Sequence, residues 1–465
     1  MNASSATLVG LRTADWYRSH ARRAAIVLAA SALACASIAA LAATRADGMP
    51  LGVISVLLVM FIVFRHPHVG VYLLFGAALL FEQSAIAGVD SPTAGTHIYA
   101  NLSTYTSIPL RLSVVDLLMG FTLIALLARA IGRHDPIRSG PFGWAVGGYV
   151  AVFIVGLVIG IARGGAWNAD VALNELRGPV VFGLAYFLAA NLMRDRLQLA
   201  ILLWLFAALV GVKALQGILS YQSAQEDILP YGLEAVTGHE DVVFFDLAIA
   251  LPVVMLLFGV RTKLTYVLLA LLPLILTTEV LTQRRAGFIA LGVVLLVVLM
   301  VAIANNPWRG LAFTALVAVA LAGYVALFWR DSGPLGEPTR ALRAIIEPGS
   351  VTLRDAGSDR WREVENRNIA YTIRQLPLTG VGLGQMYLLH EPAPVPPFEY
   401  WQYITHNAVL WLWLKAGPVG GFALWFLVGG AVISCSSAVV RLADPSLRIA
   451  ALVPLGLIVA QIIFS

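Results

Sequence analysis

Three groups of residues in this chain carry side chains able to do chemistry. The first is the adjacent pair Arg284–Arg285, which ends one apolar run and opens another, Ala286-Gly-Phe-Ile-Ala-Leu-Gly-Val-Val. A guanidinium is planar and offers parallel N–H donors, so it suits the oxygens of a phosphate. Two of them beside apolar segments are costly unless they neutralise an anion; the plainer alternative is a pair that anchors to lipid headgroups. The second group is Asp359-Arg360-Trp361-Arg362, with Arg354 and Arg367 close by. The third is Thr405-His406-Asn407, where a proline-rich stretch enters an apolar run. An imidazole can accept, donate or shuttle a proton near neutral pH. A helix starting there would also offer free amide donors and a partial positive charge to phosphate oxygens. Gly417-Pro418, further along that run, predicts a kink.

Other polar residues at membrane depth have simpler readings. Arg177, in Asn174-Glu175-Leu176-Arg177, either pairs with Glu175, snorkels to the outer interface or joins the site. Lys213 and Lys415 read as snorkelling lysines. The turn Leu376-Pro377-Leu378-Thr379-Gly380-Val381-Gly382-Leu383-Gly384 permits tight backbone near a ligand. It is not a nucleotide loop, because no Lys-Ser/Thr follows it. His, Cys and carboxylates show no metal-ligand spacing, so neither metal nor cofactor is expected. Cys35 and Cys435 lie in apolar segments and read as packing residues.

The elements that must position these groups follow from composition. Of 465 residues, 59% are hydrophobic and 12% charged, with mean hydropathy +0.82. Soluble domains run at about 45–50% and about 25%. That excess of apolar surface belongs to lipid, which excludes soluble enzymes, secreted disulfide scaffolds and disordered chains. Spans of about 20 apolar residues are expected. They fall near 24–44, 49–64, 68–86, 113–131, 142–162, 174–192, 197–219, 241–260, 264–280, 286–304, 310–329, 406–440 and 448–465. The fold class is thus all-α, a polytopic bundle of thirteen spans, give or take one.

The expected organisation is a cytoplasmic N-terminus (1–23), a bundle of about eleven spans (24–329), a large external loop (330–405) and C-terminal transmembrane helices (406–465). The first span reads as a retained signal-anchor. With the N-terminus inside, inner loops carry fifteen Arg or Lys and the short outer loops five, as the orientation rule requires. The loop 330–405 is then outside, with eight arginines and nine acids. Its stretch 353–376 has helical spacing, whereas Glu391-Pro-Ala-Pro-Val-Pro-Pro-Phe398 reads as an extended strap. The net charge of +5 is dispersed among loops, which fits anionic membrane lipids and argues against nucleic acid.

Residues 280–425 resemble the O-antigen ligase/polymerase family, membrane glycosyltransferases that act on undecaprenyl-diphosphate-linked glycans. Arg284-Arg285-Ala286-Gly287-Phe288 resembles the family's Ser-Arg-Gly segment, with Arg284 replacing the serine. Pro377-Leu378-Thr379-Gly380-Val381-Gly382-Leu383-Gly384 resembles its Pro-Leu-x-Gly-x-Gly-x-Gly turn. His406-Asn407, Leu410 and Gly417-Pro418-x-Gly420 resemble its His-Asn helix, with Lys415 where an acidic residue is frequent.

The resemblance implies transfer of a glycan from an undecaprenyl-diphosphate donor to a glycan or lipid A-core acceptor, at the outer face of a bacterial inner membrane. Arg285 and Arg360, helped by Arg284, match the arginines that hold the donor diphosphate, and His406 matches the histidine near the acceptor hydroxyl. Arg177, Asn407 and Arg354 are secondary candidates. The same resemblance admits a repeat-unit polymerase. The spans alone would equally suit a glycan or lipid flippase. Against the flippase, the unusual polar residues gather at one face and one loop instead of the midplane, and no internal repeat is visible.

Overall fold

The computed structural model describes residues 49–464 except 83–88, 90, 92, 94–95, 105–110, 225–234, 239, 332, 348–352 and 394–398. The span expected at 24–44 and most of the proline strap therefore lie outside the described residues. Every other expected span overlaps a helix, that expected at 68–86 only as far as Leu80. The helices are α1 (Met49–Arg65), α2 (Pro67–Leu80), α3 (Val114–Arg133), α4 (Gly143–Arg163), α5 (Ala169–Leu192) and α6 (Arg196–Gln222). Then come α7 (Asp241–Leu257), α8 (Lys263–Leu281), α9 (Arg285–Asn305) and α10 (Pro307–Phe328). Two loop helices, α11 (Glu337–Ile346) and α12 (Leu353–Gln375), precede α13 (Ala408–Arg441) and α14 (Pro445–Phe464).

Among the described residues nine helices are long and apolar enough to cross a membrane: α3–α6, α8–α10, α13 and α14. The protein is a multi-pass, all-helical membrane protein. Within the bilayer a backbone must satisfy its own hydrogen bonds, which is why these apolar runs fold as helices. Side-chain caps set several of their starts. Ser113 and Asp116 form a reciprocal capping box at α3, Thr262 and Thr265 form one at α8, and Asn306 caps α10 ahead of Pro307.

The helices fall into two compact units. One holds α1–α3, the C-terminal end of α5 and the first half of α6. The other holds α4, the N-terminal part of α5, the rest of α6 and everything from α7 onward. In the second unit α13 packs on α4, α12 and α14, and α9 packs on α7, α10, α11 and α14. All the residues singled out for chemistry belong to this second unit.

The loop helices are tied to the bundle by polar contacts. Thr339 donates to the Phe328 carbonyl at 2.7 Å, and Arg340 to those of Asp331 and Gly333 at 3.1 Å. Arg343 donates to the Trp329 carbonyl. In this way α11 covers carbonyls at the end of α10 that the helix itself leaves unmatched.

Candidate active site

Helix α12 is the element on which the candidate residues converge. Its helical spacing was readable in the sequence, and its inner face is buried through Val364, Glu365, Asn368, Ile369 and Thr372. Asn368 locks the following chain to it. Its amide oxygen accepts the backbone N–H groups of His390 and Glu391 at 2.8 and 2.7 Å, and its NH2 donates to the Glu391 carbonyl at 3.0 Å.

Arg285 reaches α12 from the bundle. Gln283 has φ 52°, a left-handed turn residue, and it swings the chain so that α9 begins at Arg285. Arg284, with φ −102° and ψ 103°, is the N-cap, and it makes no side-chain cap. The Gly287 and Phe288 N–H groups turn back to the Arg284 carbonyl at 3.0 and 3.4 Å, so α9 starts beside two arginines. Such a helix start favours an anion. Arg285 Nη2 lies 3.3 Å from Oδ1 and 3.5 Å from Oδ2 of Asp359, a loose pair whose acid is 52% exposed. Arg360, the next residue, is exposed.

His406 meets the same helix from the other direction. Its Nδ1 stands 3.3 and 3.2 Å from the two carboxylate oxygens of Glu365, and its backbone N–H donates to Oε2 at 3.1 Å. Glu365 is 1% exposed, whereas the His406 side chain is 53% exposed. Trp361 stands edge-on to the ring at 4.8 Å. Burial, and then the Glu365 charge, push the nearby Tyr387 phenol up from its ordinary value.

His406 precedes the helix instead of starting it. Asn407 is the N-cap of α13, and its side-chain oxygen accepts the amides of Val409 and Leu410 at 3.1 and 3.0 Å. Those two donors are therefore taken by the cap. The expected kink is present: Gly417 has φ 65° and ψ −169°, followed by Pro418.

The glycine turn has a different task from the one its composition suggested. Instead of approaching a ligand, it is plugged into the bundle between α4 and α13. Leu383 N–H donates to the Gly156 carbonyl at 3.0 Å and Val381 N–H to that of Leu414 at 2.6 Å. Gln385 donates to the carbonyls of Gly160 and Gly164, each at 2.8 Å. Gly382 has φ 89°, and a Cβ there would strike the backbone of Gly160. Only glycine allows this approach.

Lys415 does not snorkel. It is fully buried, with Nζ 2.8 Å from Glu175 and donating to the Gln385 carbonyl at 2.6 Å. The other oxygen of Glu175 accepts the Gly384 N–H at 2.6 Å. Thus Glu175 pairs with Lys415 across the bundle. It could not meet Arg177 on its own helix, because residues two apart face different directions. Arg177 is half-buried in α5. Lys213 likewise stays inside, 3.3 Å from Asp241, with 3% of its side chain exposed. Arg354 falls in the first turn of α12, and its side chain is outside the described residues.

Residues 268–426, from within α8 through the kink of α13, match the family model described as O-antigen ligase. That likeness covers about a third of the chain. Arg285, Asp359, Glu365 and His406 all fall inside that stretch. No curated protein matches the chain. Glu365 is the residue that sequence reading passed over, and Asp359, quoted with Arg360, was given no role of its own. The available signal was Glu365 four residues after Trp361 on the buried face of α12, yet nothing in the sequence indicated that His406 would sit against that face.

Proposed function

We propose that the protein is a glycosyltransferase that moves a glycan from an undecaprenyl-diphosphate carrier to an acceptor hydroxyl at the outer face of the inner membrane, as an O-antigen ligase does. The observation that supports this reading is that α12 receives an arginine from the start of α9 on one side and an exposed histidine on the other, within the stretch that matches the O-antigen ligase model.

In this reading the acceptor oxygen attacks the anomeric carbon of the donor sugar. The bond from that carbon to the diphosphate oxygen breaks, and its electron pair leaves with the carrier diphosphate. His406 Nε2 takes the acceptor proton as the oxygen becomes bonded to carbon. Arg285, with Arg284, Arg360 and the first amides of α9, meets the negative charge that grows on the leaving diphosphate. The leaving group is already activated, and the arginines supply the countercharge, so the reading calls for no nucleotide and no metal. Asp359 holds the Arg285 side chain extended until the diphosphate replaces it.

The test is the glycan phenotype of a deletion strain. Long lipid-linked glycans that never reach their final acceptor are expected. Single unpolymerised repeats on the carrier would make the protein a polymerase, and an unchanged lipid-linked pool and surface glycan would overturn the transferase reading.

A further inference from the structure

The Glu365–His406 contact goes beyond what transfer by His406 alone requires. A buried carboxylate is costly unless it is paired or well hydrogen-bonded. On the same helix Arg367 pairs with Glu363 and Glu391, and Asp359 with Arg285. The ionisable partner of Glu365 is the His406 ring. The other titratable group facing it is the Tyr387 phenol, itself 1% exposed.

This geometry dictates a tautomer. An ionised carboxylate only accepts hydrogen bonds, and a neutral imidazole has one N–H and one lone pair. With both Glu365 oxygens on Nδ1, the hydrogen must sit on Nδ1 and the lone pair on Nε2. The same carboxylate grips the backbone N–H of His406, so ring and main chain are held from one point. Trp361 closes off another side of the ring.

We infer that Glu365 is a positioning residue for glycan transfer. It holds His406 in the Nδ1-protonated tautomer, points Nε2 at the acceptor hydroxyl, and stabilises the imidazolium formed when Nε2 takes that proton. The inference rests on the transfer reading above. A carboxylate serving only to fasten the chain ahead of α13 would need the backbone bond and not the ring bond.

The first measurement needs no ligand. In full-length protein labelled with ¹⁵N-histidine, the His406 signals, identified by their loss in His406→Gln, should show Nδ1 protonated. A ring protonated on Nε2 in the unaltered protein overturns the proposal. The second uses lipid-linked glycan extracted from membranes of the host. Glu365→Gln keeps the shape and removes the charge. It should lower kcat on the order of 10²-fold, with KM for the lipid-linked glycan unchanged, because a misoriented base is lost in the rate and not in binding. Placed on top of His406→Gln, the same change should cost nothing further, since its effect runs through the ring. Equal losses in both backgrounds would make Glu365 merely structural. Full activity in His406→Gln would instead defeat the base reading, and the tautomer measurement would still judge Glu365 by itself.

Discussion

Asp359 and Glu365 stand six residues apart on α12, one holding Arg285 and the other His406. At about 1.5 Å per residue the two acids are separated by about 9 Å along the helix, and by about a third of a turn around it. One rigid element therefore sets the spacing between the group proposed to meet a leaving diphosphate and the group proposed to take a proton. A shift of α12 would move both together, which preserves their mutual geometry. The two acids differ in burial, and so do their tasks. Asp359 is half exposed, as the proposed release of Arg285 to the diphosphate needs, whereas Glu365 is buried, as holding His406 in place needs.

Replacement of Arg285 tests the first of these. Lysine keeps one charge and loses the planar fork, so Arg285→Lys should transfer poorly while accumulating normally in the membrane. Loss of a donor that acts on transition-state charge costs about 10²–10³ in rate. The check is the transfer rate in membranes matched for protein level. Wild-type rates in both Arg285→Lys and Arg285→Ala would leave lipid anchoring as the role of this arginine.

Much of this arrangement was legible in the sequence, for reasons that also mark where legibility ended. Apolar runs must become helices in lipid, so twelve of the thirteen expected spans overlap described helices. Likewise Gly417-Pro418 cannot continue a regular helix, and the kink is there. What the sequence hides is pairing between distant residues. Lys415 and Glu175 are 240 positions apart, and each alone reads as an interfacial charge. Their burial goes with the glycine turn: Glu175 accepts the Gly384 N–H, and Lys415 donates to the carbonyl of the next residue, Gln385. The glycines themselves were visible, but whether they approached a ligand or a helix depended on Gly156 and Gly160, far upstream.

That packing role leads to a contrast between two glycines. At Gly382, φ is 89° and a Cβ would meet the Gly160 backbone, so Gly382→Ala should destabilise the protein and lower its membrane level. Gly357 lies inside α12, exposed, with nothing within 4 Å of an added Cβ. Gly357→Ala should therefore stabilise, by up to about 1 kcal/mol, through helix propensity alone. Thermal melting in detergent checks both. A tolerant Gly382 would mean that the turn is not wedged against α4.

The buried pair offers a second stability test. Removing one partner leaves an uncompensated buried charge, which costs about 3–5 kcal/mol. Lys415→Met should thus lower the melting temperature strongly. Adding Glu175→Gln removes the stranded charge and still leaves an oxygen to accept the Gly384 N–H, so the double variant should recover part of the loss. If the two changes are simply additive, the side chains are not coupled.

Orientation can be read with thiol labelling. In a variant lacking Cys35 and Cys435, Gly357→Cys is exposed on α12 and should react with an impermeant reagent added to intact spheroplasts. Asp135→Cys, in a loop that the basic residues assign to the inside, should react only after lysis. The reverse pattern would put α12, Arg285 and His406 in the cytoplasm, where a carrier-linked glycan awaiting transfer at the outer face could not reach them.

His406 yields the sharpest pH forecast. Only the neutral ring has a lone pair on Nε2, so only that form can take the acceptor proton. The rate of the unaltered protein should therefore fall as the medium is acidified. His406→Gln has no titrating ring; it should be slower by about 10²–10⁴ and show no such limb. The open setting of the ring makes the comparison direct, since its 53% exposed side chain meets the solvent pH without a barrier. The measurement is transfer of lipid-linked glycan by purified protein from about pH 5 to about pH 8, for both forms. A glutamine variant as fast as the unaltered enzyme at every pH would reduce His406 to a hydrogen-bond donor for the acceptor. Proton removal would then have to come from the diphosphate itself, whose oxygens Arg285 would hold within reach.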